Sequence, residues 1–420
     1  MNPVKSNRPA TGLPTASPEE VGFSTERLAR IGPAMQKYID ARMMPGIVTV
    51  AARHGRIVHF ESRGLMDIEA NKPMSSDTIF RIMSMTKPIA CVGLMMLYEE
   101  GHFLLDQPMS RYLPSFKNML VKAKRGMTEP ARREINFRDC LTHTAGFDSQ
   151  AYGKVMNRFS SGPLQPLPPG TTGRTINQAG QQGTVEESIE LLAKQPLNFH
   201  PGTDWEYHPS HDVVGVLIEK ISGQRLDVFL KERILDPLKM VDTHFYLPKN
   251  KSGRLAAGYV VNENEWGKIG LIDSPATSRV VVGPKTFFSA GGGLVSTAAD
   301  YARFAQMLLN GGQLDGARIL GRKTVELMTT NHTGDLYIER KGPGYGYGLG
   351  FFVRLSLAAA PLVGSLGAYG WGGVYCTSYF ADPKEDLFGL MFSQVLNANQ
   401  YPAFTMRVDF ERMVYQALVD

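Results

Sequence analysis

Arg81-Ile82-Met83-Ser84-Met85-Thr86-Lys87-Pro88, followed by the apolar run IACVGLMMLYEE (89–100) and Gly101, is the stretch on which the reading of this chain turns. Residues three apart on a helix share a face, with Cβ atoms roughly 5–6 Å apart, so the Lys87 amine can reach the Ser84 hydroxyl. Proline lacks the N–H that a helix interior needs and fits best near a helix start, which puts Ser84 and Lys87 in the first turn. Free backbone N–H groups and the positive end of the helix dipole gather there, a setting suited to the oxyanion of an acyl transfer. The run behind it is apolar nearly all round and stops at a glycine, so the spacing predicts a buried helix presenting two polar groups at its start. Taken alone, Ser-x-x-Lys is also what an ordinary surface helix start looks like.

The surrounding chain supplies a scaffold. GIVTVAAR (46–53) and RIVHFES (56–62), joined by His54-Gly55, read as a β-hairpin. YGYGLGFFV (345–353), GVYCTSYFADP (373–383) and DLFGLMFSQV (386–395) read as successive strands, and helices are expected at 24–41, 298–310 and 402–419. Strands at both ends of the chain imply an α+β domain (1–105 and 271–420) with one antiparallel sheet and helices against it. Residues 106–270 read as a mostly helical insertion domain. In it, Thr184 and Glu187 form a capping box for VEESIELLAK, and DVVGVLIEKISG (212–223) is a second helix. The glycine-, proline- and glutamine-rich stretch near 160–184 is too long for an ordinary connection and is expected to be a flap.

Bulk composition narrows the function. The 420 residues are 43% apolar, enough for a full core, and 45 basic against 40 acidic residues leave a net charge of only +5. Lys117, Lys122, Lys124, Arg125, Arg132 and Arg133 form the densest basic run, without interleaved aromatics, and read as a solvated helical face rather than a nucleic-acid surface. Cys91, Cys140 and Cys376 are odd in number and scattered, which fits a reducing compartment and no metal site. With no apolar leader and no membrane-length run, the expectation is a cytoplasmic protein with no membrane or nucleic-acid partner.

A serine hydroxyl needs a base within hydrogen-bond reach. Lys87 is one candidate, and Tyr207, in Asp204-Trp205-Glu206-Tyr207-His208-Pro209-Ser210, is a second among 16 tyrosines. The segment Arg81 to Gly101, Leu141-Thr142-His143-Thr144-Ala145-Gly146-Phe147, Pro201-Gly202 to Tyr207, and Gly370-Trp371-Gly372-Gly373 together resemble the serine β-lactamase and penicillin-binding protein superfamily, from about residue 20 to the end. Within it the chain is most similar to class C β-lactamases and, more closely, to family VIII carboxylesterases. The resemblance implies a β-lactamase-like fold and an ester-cleaving serine hydrolase that needs no cofactor. By the same resemblance Ser84 is the acylated nucleophile, Lys87 its helix-mate base, Tyr207 the proton-shuttling phenol, and the N–H groups of Ser84 and Val374 the oxyanion hole. Trp371, Gly372 and Gly373 stand where the family has its Lys-Thr-Gly strand.

Two departures bear on substrate. Pro209 replaces the asparagine that follows the tyrosine by two in class C β-lactamases, and Trp371 puts an apolar surface in place of a lysine. Small neutral esters therefore fit better than β-lactams or D-amino-acid peptides. An acyltransferase using the same acyl-serine, and a non-catalytic acyl-ligand binding scaffold, are the rival readings. No Gly-x-Ser-x-Gly occurs, which removes the α/β-hydrolase elbow. His332-Thr333-Gly334 is a decoy for Lys-Thr-Gly, expected to be structural. His208, His211 and Asp212 crowd one segment and are expected to serve loop packing and helix capping rather than a metal. His143 belongs to a resembling motif, and a buried hydrogen-bonded histidine explains it at least as well as catalysis; Cys376 is expected to be an apolar packing residue.

Overall fold

The computed structural model describes residues 11–158, 183–207, 209–262, 268–396, 398 and 405–420. The expected flap near 160–184 lies almost wholly outside the described residues, as does His208.

Eight strands form the central sheet: β1 (Gly46–Arg53), β2 (Arg56–Asp67), β3 (Lys72–Pro73), β4 (Tyr345–Tyr347), β5 (Phe352–Arg354), β6 (Tyr369–Gly373), β7 (Thr377–Asp382) and β8 (Leu387–Phe392). Their order is β4-β5-β6-β7-β8-β1-β2-β3, and every neighbouring pair is antiparallel. The β1–β2 turn takes His54 at φ 51° and Gly55 at φ 71°. Two positive φ values in succession give the hairpin turn whose twist matches its strands.

Strand alternation explains why β1 is buried on both faces. Val48, Val50 and Ala52 enter one core, with Phe388, Leu390 and Phe392 of β8. Ile47 and Ala51, with Leu387 and Met391, enter a second core. The first core is covered by α2 (Thr86–Glu99), α5 (Ser210–Ser222) and α6 (Ala298–Leu309). The second is covered by α1 (Ile31–Asp40) and α7 (Met406–Tyr415), which pack on each other and on the sheet. The insertion region adds α3 (Phe137–Thr142) and α4 (Val185–Leu192), the latter opened by the expected Thr184–Glu187 capping box.

Several expectations need correction. YGYGLGFFV is two short strands, β4 and β5, folded back at residues 348–351, because Gly350 adopts φ 99°. Residues 374–376 are a turn, with Cys376 at φ 64°, so Trp371-Gly372-Gly373 belongs to β6 and the following strand starts at Thr377. The 24–41 segment forms two helices, Thr25–Leu28 and Ile31–Asp40. The basic run follows no α-helix: it crosses the Leu120–Lys122 and Thr128–Pro130 hairpin and the short 3-10 turn Lys124–Gly126 between them, and Lys122 pairs with Asp148 at 2.5 Å. Strand Lys268–Asp273 spans the expected boundary at 270 and pairs with Gly258–Asn262, which in turn pairs with Val395–Leu396.

Candidate active site

The site is assembled where α2 meets the end of β6. Met83–Met85 is a 3-10 turn that runs into α2, and Met83 holds φ 48° immediately before the serine. A left-handed methionine is unfavourable and persists only where its surroundings fix it. Here Met83 is buried with Val260, Tyr375 and Leu396. Strand β6 lies directly against this turn. A Cβ at Gly373 would meet the Ile82 carbonyl at 2.4 Å, and Thr377 Oγ1 donates to that same oxygen at 3.3 Å. The backbone leaving Gly373 through Val374 is thereby held beside the turn that carries Ser84.

Three side chains converge. Lys87, buried on the first turn of α2, donates from Nζ to Ser84 Oγ at 3.0 Å. Tyr207 Oη lies 2.5 Å from the same Oγ, across 123 residues of sequence. Lys87 Nζ also sits 4.8 Å from the Tyr207 ring centroid and donates to the Gly291 carbonyl at 2.5 Å. A serine hydroxyl within reach of both an amine and a phenol can pass its proton to either.

The motif around His143 serves as a splint for Tyr207. Gly202 N–H donates to Thr144 O at 2.8 Å, Glu206 N–H to His143 O at 3.2 Å, and Asn198 N–H to Gly146 O at 2.7 Å. Gly146 is required at φ 83°, with a Cβ there 2.4 Å from Phe199 O. Asp139 locks the splint by accepting from both Arg133 nitrogens at 2.5 and 2.8 Å and from Thr144 Oγ1 at 3.1 Å. The His143 ring, fully buried, lies 4.8 Å from that of Tyr207 and 5.3 Å from that of Tyr347.

Trp371 forms the wall beside Tyr207, with ring centroids 5.5 Å apart, and Tyr347 meets it edge-on at 5.2 Å. Gly372 points to the opposite face of the sheet, where the Arg407 guanidinium would be struck by any side chain. Its contribution to a ligand is limited to backbone. Arg340, exposed and without a hydrogen bond or ion pair among the described residues, rests its guanidinium 5.1 Å above the Tyr207 ring. A cation from another loop therefore stands over the Tyr207 ring.

The decoys are structural. His332 is held between Arg138 at 2.5 Å and the Leu327 carbonyl at 2.8 Å, and burial pushes its imidazole below the usual range. Cys376 packs in the second core, where burial pushes its thiol up to about 11. Among the described residues no group of three histidine, cysteine or acidic side chains could hold a metal. Asp212 does not cap its own helix: its carboxylate accepts from Tyr152 Oη at 2.6 Å, Ser289 Oγ at 2.6 Å and Gly291 N–H at 2.8 Å. Asp212, Gly291 and Arg340 are the site-forming residues that sequence reasoning missed. Of these only Asp212, polar within an apolar helix five residues past Tyr207, left any trace in the sequence.

A serine hydroxyl flanked by an amine and a phenol on this sheet-and-helix frame is an arrangement able to support acyl transfer through the serine. The chain belongs to the Beta-lactamase family, whose model matches residues 33–411. It is 34% identical over 377 residues to Protein Rv1367c of Mycobacterium tuberculosis, covering 86% of this chain and 88% of that one. It is 29% identical over 400 residues to Esterase EstB of Burkholderia gladioli, with 91% and 94% covered. Among solved structures, EstCE1, a hydrolase with promiscuous acyltransferase activity, superposes with a TM-score of 0.74 at 27% identity over 93% of this chain and 99% of its own.

Proposed function

We propose that this protein is a carboxylesterase of the family VIII type, cleaving short-chain carboxylic esters through an acyl-Ser84 intermediate. The observation that carries this reading is the approach of Lys87 Nζ and Tyr207 Oη to Ser84 Oγ, at 3.0 and 2.5 Å. A small ester enters between the α/β body (1–105 and 271–420) and the mostly helical region (106–270), with Trp371 shaping its acyl or alcohol pocket. Ser84 Oγ attacks the carbonyl carbon while its proton moves to the Lys87–Tyr207 pair, and the N–H groups of Ser84 and Val374 hold the oxyanion. Collapse returns the proton to the departing alcohol. Water, deprotonated by the same pair, then releases the acid. No metal or cofactor takes part.

Pro209 and Trp371 argue against β-lactams and D-amino-acid peptides, because they remove a side-chain amide and a cation from the places where such substrates would need them. The scattered free cysteines support a cytoplasmic setting. Among the described residues no helix is long and apolar enough to cross a membrane.

The test is a chain-length series of nitrophenyl esters run beside one chromogenic cephalosporin. Ser84→Ala should abolish ester turnover, and Lys87→Ala and Tyr207→Phe should each lower kcat at least 100-fold as members of one unit. A Tyr207→Phe enzyme within a few-fold of wild type removes the tyrosine from the mechanism. Acyl transfer is the second reading, favoured by the transferase activity named for EstCE1. Product partition in excess alcohol separates it from hydrolysis.

A further inference from the structure

The ester chemistry above leaves a buried carboxylate beside the Lys87 contacts without a task. Asp212 sits on the first turn of α5, five residues beyond Tyr207, and is 2% exposed. Its side-chain partners among the described residues are three neutral donors. Oδ2 accepts from Tyr152 Oη at 2.6 Å, while Oδ1 accepts from both Ser289 Oγ at 2.6 Å and Gly291 N–H at 2.8 Å. Gly291 faces two ways. Its N–H goes to Asp212, and its carbonyl accepts from Lys87 Nζ at 2.5 Å. The approach is close enough that a Cβ on residue 291 would stand 3.0 Å from Asp212 Oδ1.

A lysine amine on a four-carbon stem has many rotamers, and Ser84 alone would not select one of them. The Gly291 carbonyl makes the selection by giving Nζ a second fixed acceptor. That carbonyl can serve only if residue 291 is itself held in one orientation. A glycine in a loop has the widest choice of orientations, so something outside the loop must fix it. A buried carboxylate is a strong acceptor in a low-dielectric setting, and it is costly to leave unpaired, so its bond to the Gly291 amide resists rotation.

We propose that Asp212 is a positioning residue for Lys87: by gripping the Gly291 amide it aims the Gly291 carbonyl at the lysine, which keeps Nζ between Ser84 and Tyr207. The inference rests on the acyl-Ser84 reading, in which Lys87 exchanges protons with Ser84. Tyr152 and Ser289 hold the carboxylate itself.

The experiment compares steady-state and single-turnover ester hydrolysis in four variants, with circular dichroism melts on each. Asp212→Ala should lower kcat at least 30-fold, with KM within threefold of wild type. Asp212→Asn keeps an Oδ1 for Gly291 and Ser289 and can donate its amide to the Tyr152 hydroxyl, so it should recover at least tenfold of that loss. Tyr152→Phe and Ser289→Ala each remove one donor from the carboxylate without touching Gly291. They should lower the melting temperature yet retain a kcat at least tenfold above that of Asp212→Ala. Should Asp212→Ala fail to fold, Asp212→Leu, close in shape and unable to accept, replaces it. The proposal is overturned if the non-accepting variant keeps its kcat, if its loss falls equally on KM, if asparagine rescues nothing, or if Tyr152→Phe and Ser289→Ala reproduce the whole loss. Labelling of wild-type protein by a fluorophosphonate, absent in Ser84→Ala, is run in parallel. Failure of that labelling sinks the acyl-serine reading, whereas the Asp212 comparison sinks only the positioning role.

Discussion

At the scale of single residues, chemistry-bearing positions divide by how far apart in sequence they lie. Ser84 and Lys87 are legible from their spacing because one helical turn fixes their geometry, and the 3.0 Å contact is what that turn delivers. Tyr207 is 123 residues away, so nothing local singles it out from the other tyrosines. Its loop just before the 212–223 helix makes it one candidate among 16 tyrosines, and the family resemblance is what sets it apart. Trp371 illustrates a residue whose identity was readable but whose surroundings were not. Its substitution for a lysine suggested a neutral pocket, yet Arg340 places a guanidinium over the adjoining Tyr207 ring. The indole is 5% exposed and in ring contact with Tyr207, Tyr347 and Phe352. Truncating it opens a hole beside the reacting atoms without removing any of them. Trp371→Ala should therefore shift the preferred acyl chain by two or more carbons while acetate-ester turnover falls less than that of the best wild-type substrate. Equal losses across an acetate-to-octanoate series would remove Trp371 from the pocket.

At the scale of elements, the hairpin of β1 and β2, the helix after Thr184 and the helix ending at Gly223 were readable because each is specified by its own turn or cap chemistry. Strand β6 was not. Tyr369-Gly370-Trp371-Gly372-Gly373 has no apolar-polar alternation, and three of its five residues are glycines, which disfavour strands in isolation. Tertiary contact explains them. A Cβ at Gly370 would meet Tyr379 O at 2.3 Å, one at Gly372 the Arg407 guanidinium, and one at Gly373 the Ile82 carbonyl at 2.4 Å. The glycines let this strand press against its neighbours on both faces, a constraint visible only after the chain has folded. The cost of breaking it should appear in catalysis. Gly373→Ala forces the strand away from the turn carrying Ser84, and a displacement of about 1 Å at a reacting centre costs on the order of 100-fold in rate. We expect kcat/KM to fall by at least that factor, with labelling of Ser84 by a fluorophosphonate slowed in parallel. Unimpaired labelling would show that β6 does not position the oxyanion donors proposed for Ser84 and Val374.

At the scale of the whole molecule, strands from the first 75 residues and the last 80 or so share one sheet, and both of its faces are buried under helices. The antiparallel character of this sheet followed from strand patterns at both termini, but its closing contacts did not, since they join segments with no shared periodicity. One of them carries a pH signature. Asp300, on the first turn of α6, turns its carboxylate toward the 242–243 segment, accepting from Asp242 N–H at 2.7 Å and Thr243 Oγ1 at 2.8 Å. Burial is the largest influence on this group and raises its pKa from 3.8 to about 6; Asp242 adds to the rise, and the two hydrogen bonds oppose it. An acid whose folded pKa lies above its unfolded value keeps its proton longer in the folded state. Its contribution to stability is whole below the unfolded value and is lost as pH rises through the folded one. The window is therefore pH 3.8 to about 6, and the two-unit shift corresponds to at most about 3 kcal/mol. Asp300→Asn retains an oxygen for both donors and has nothing to titrate. Relative to wild type, its unfolding free energy in urea should rise between pH 4 and pH 7 by up to about 3 kcal/mol, the mutant gaining at the higher pH. Because both proteins share every other titrating group, their difference isolates this carboxyl. A difference that stays constant across that range would mean Asp300 ionises in the folded protein as it does in the unfolded chain, and that the contact between α6 and residues 242–243 holds its charge at no cost.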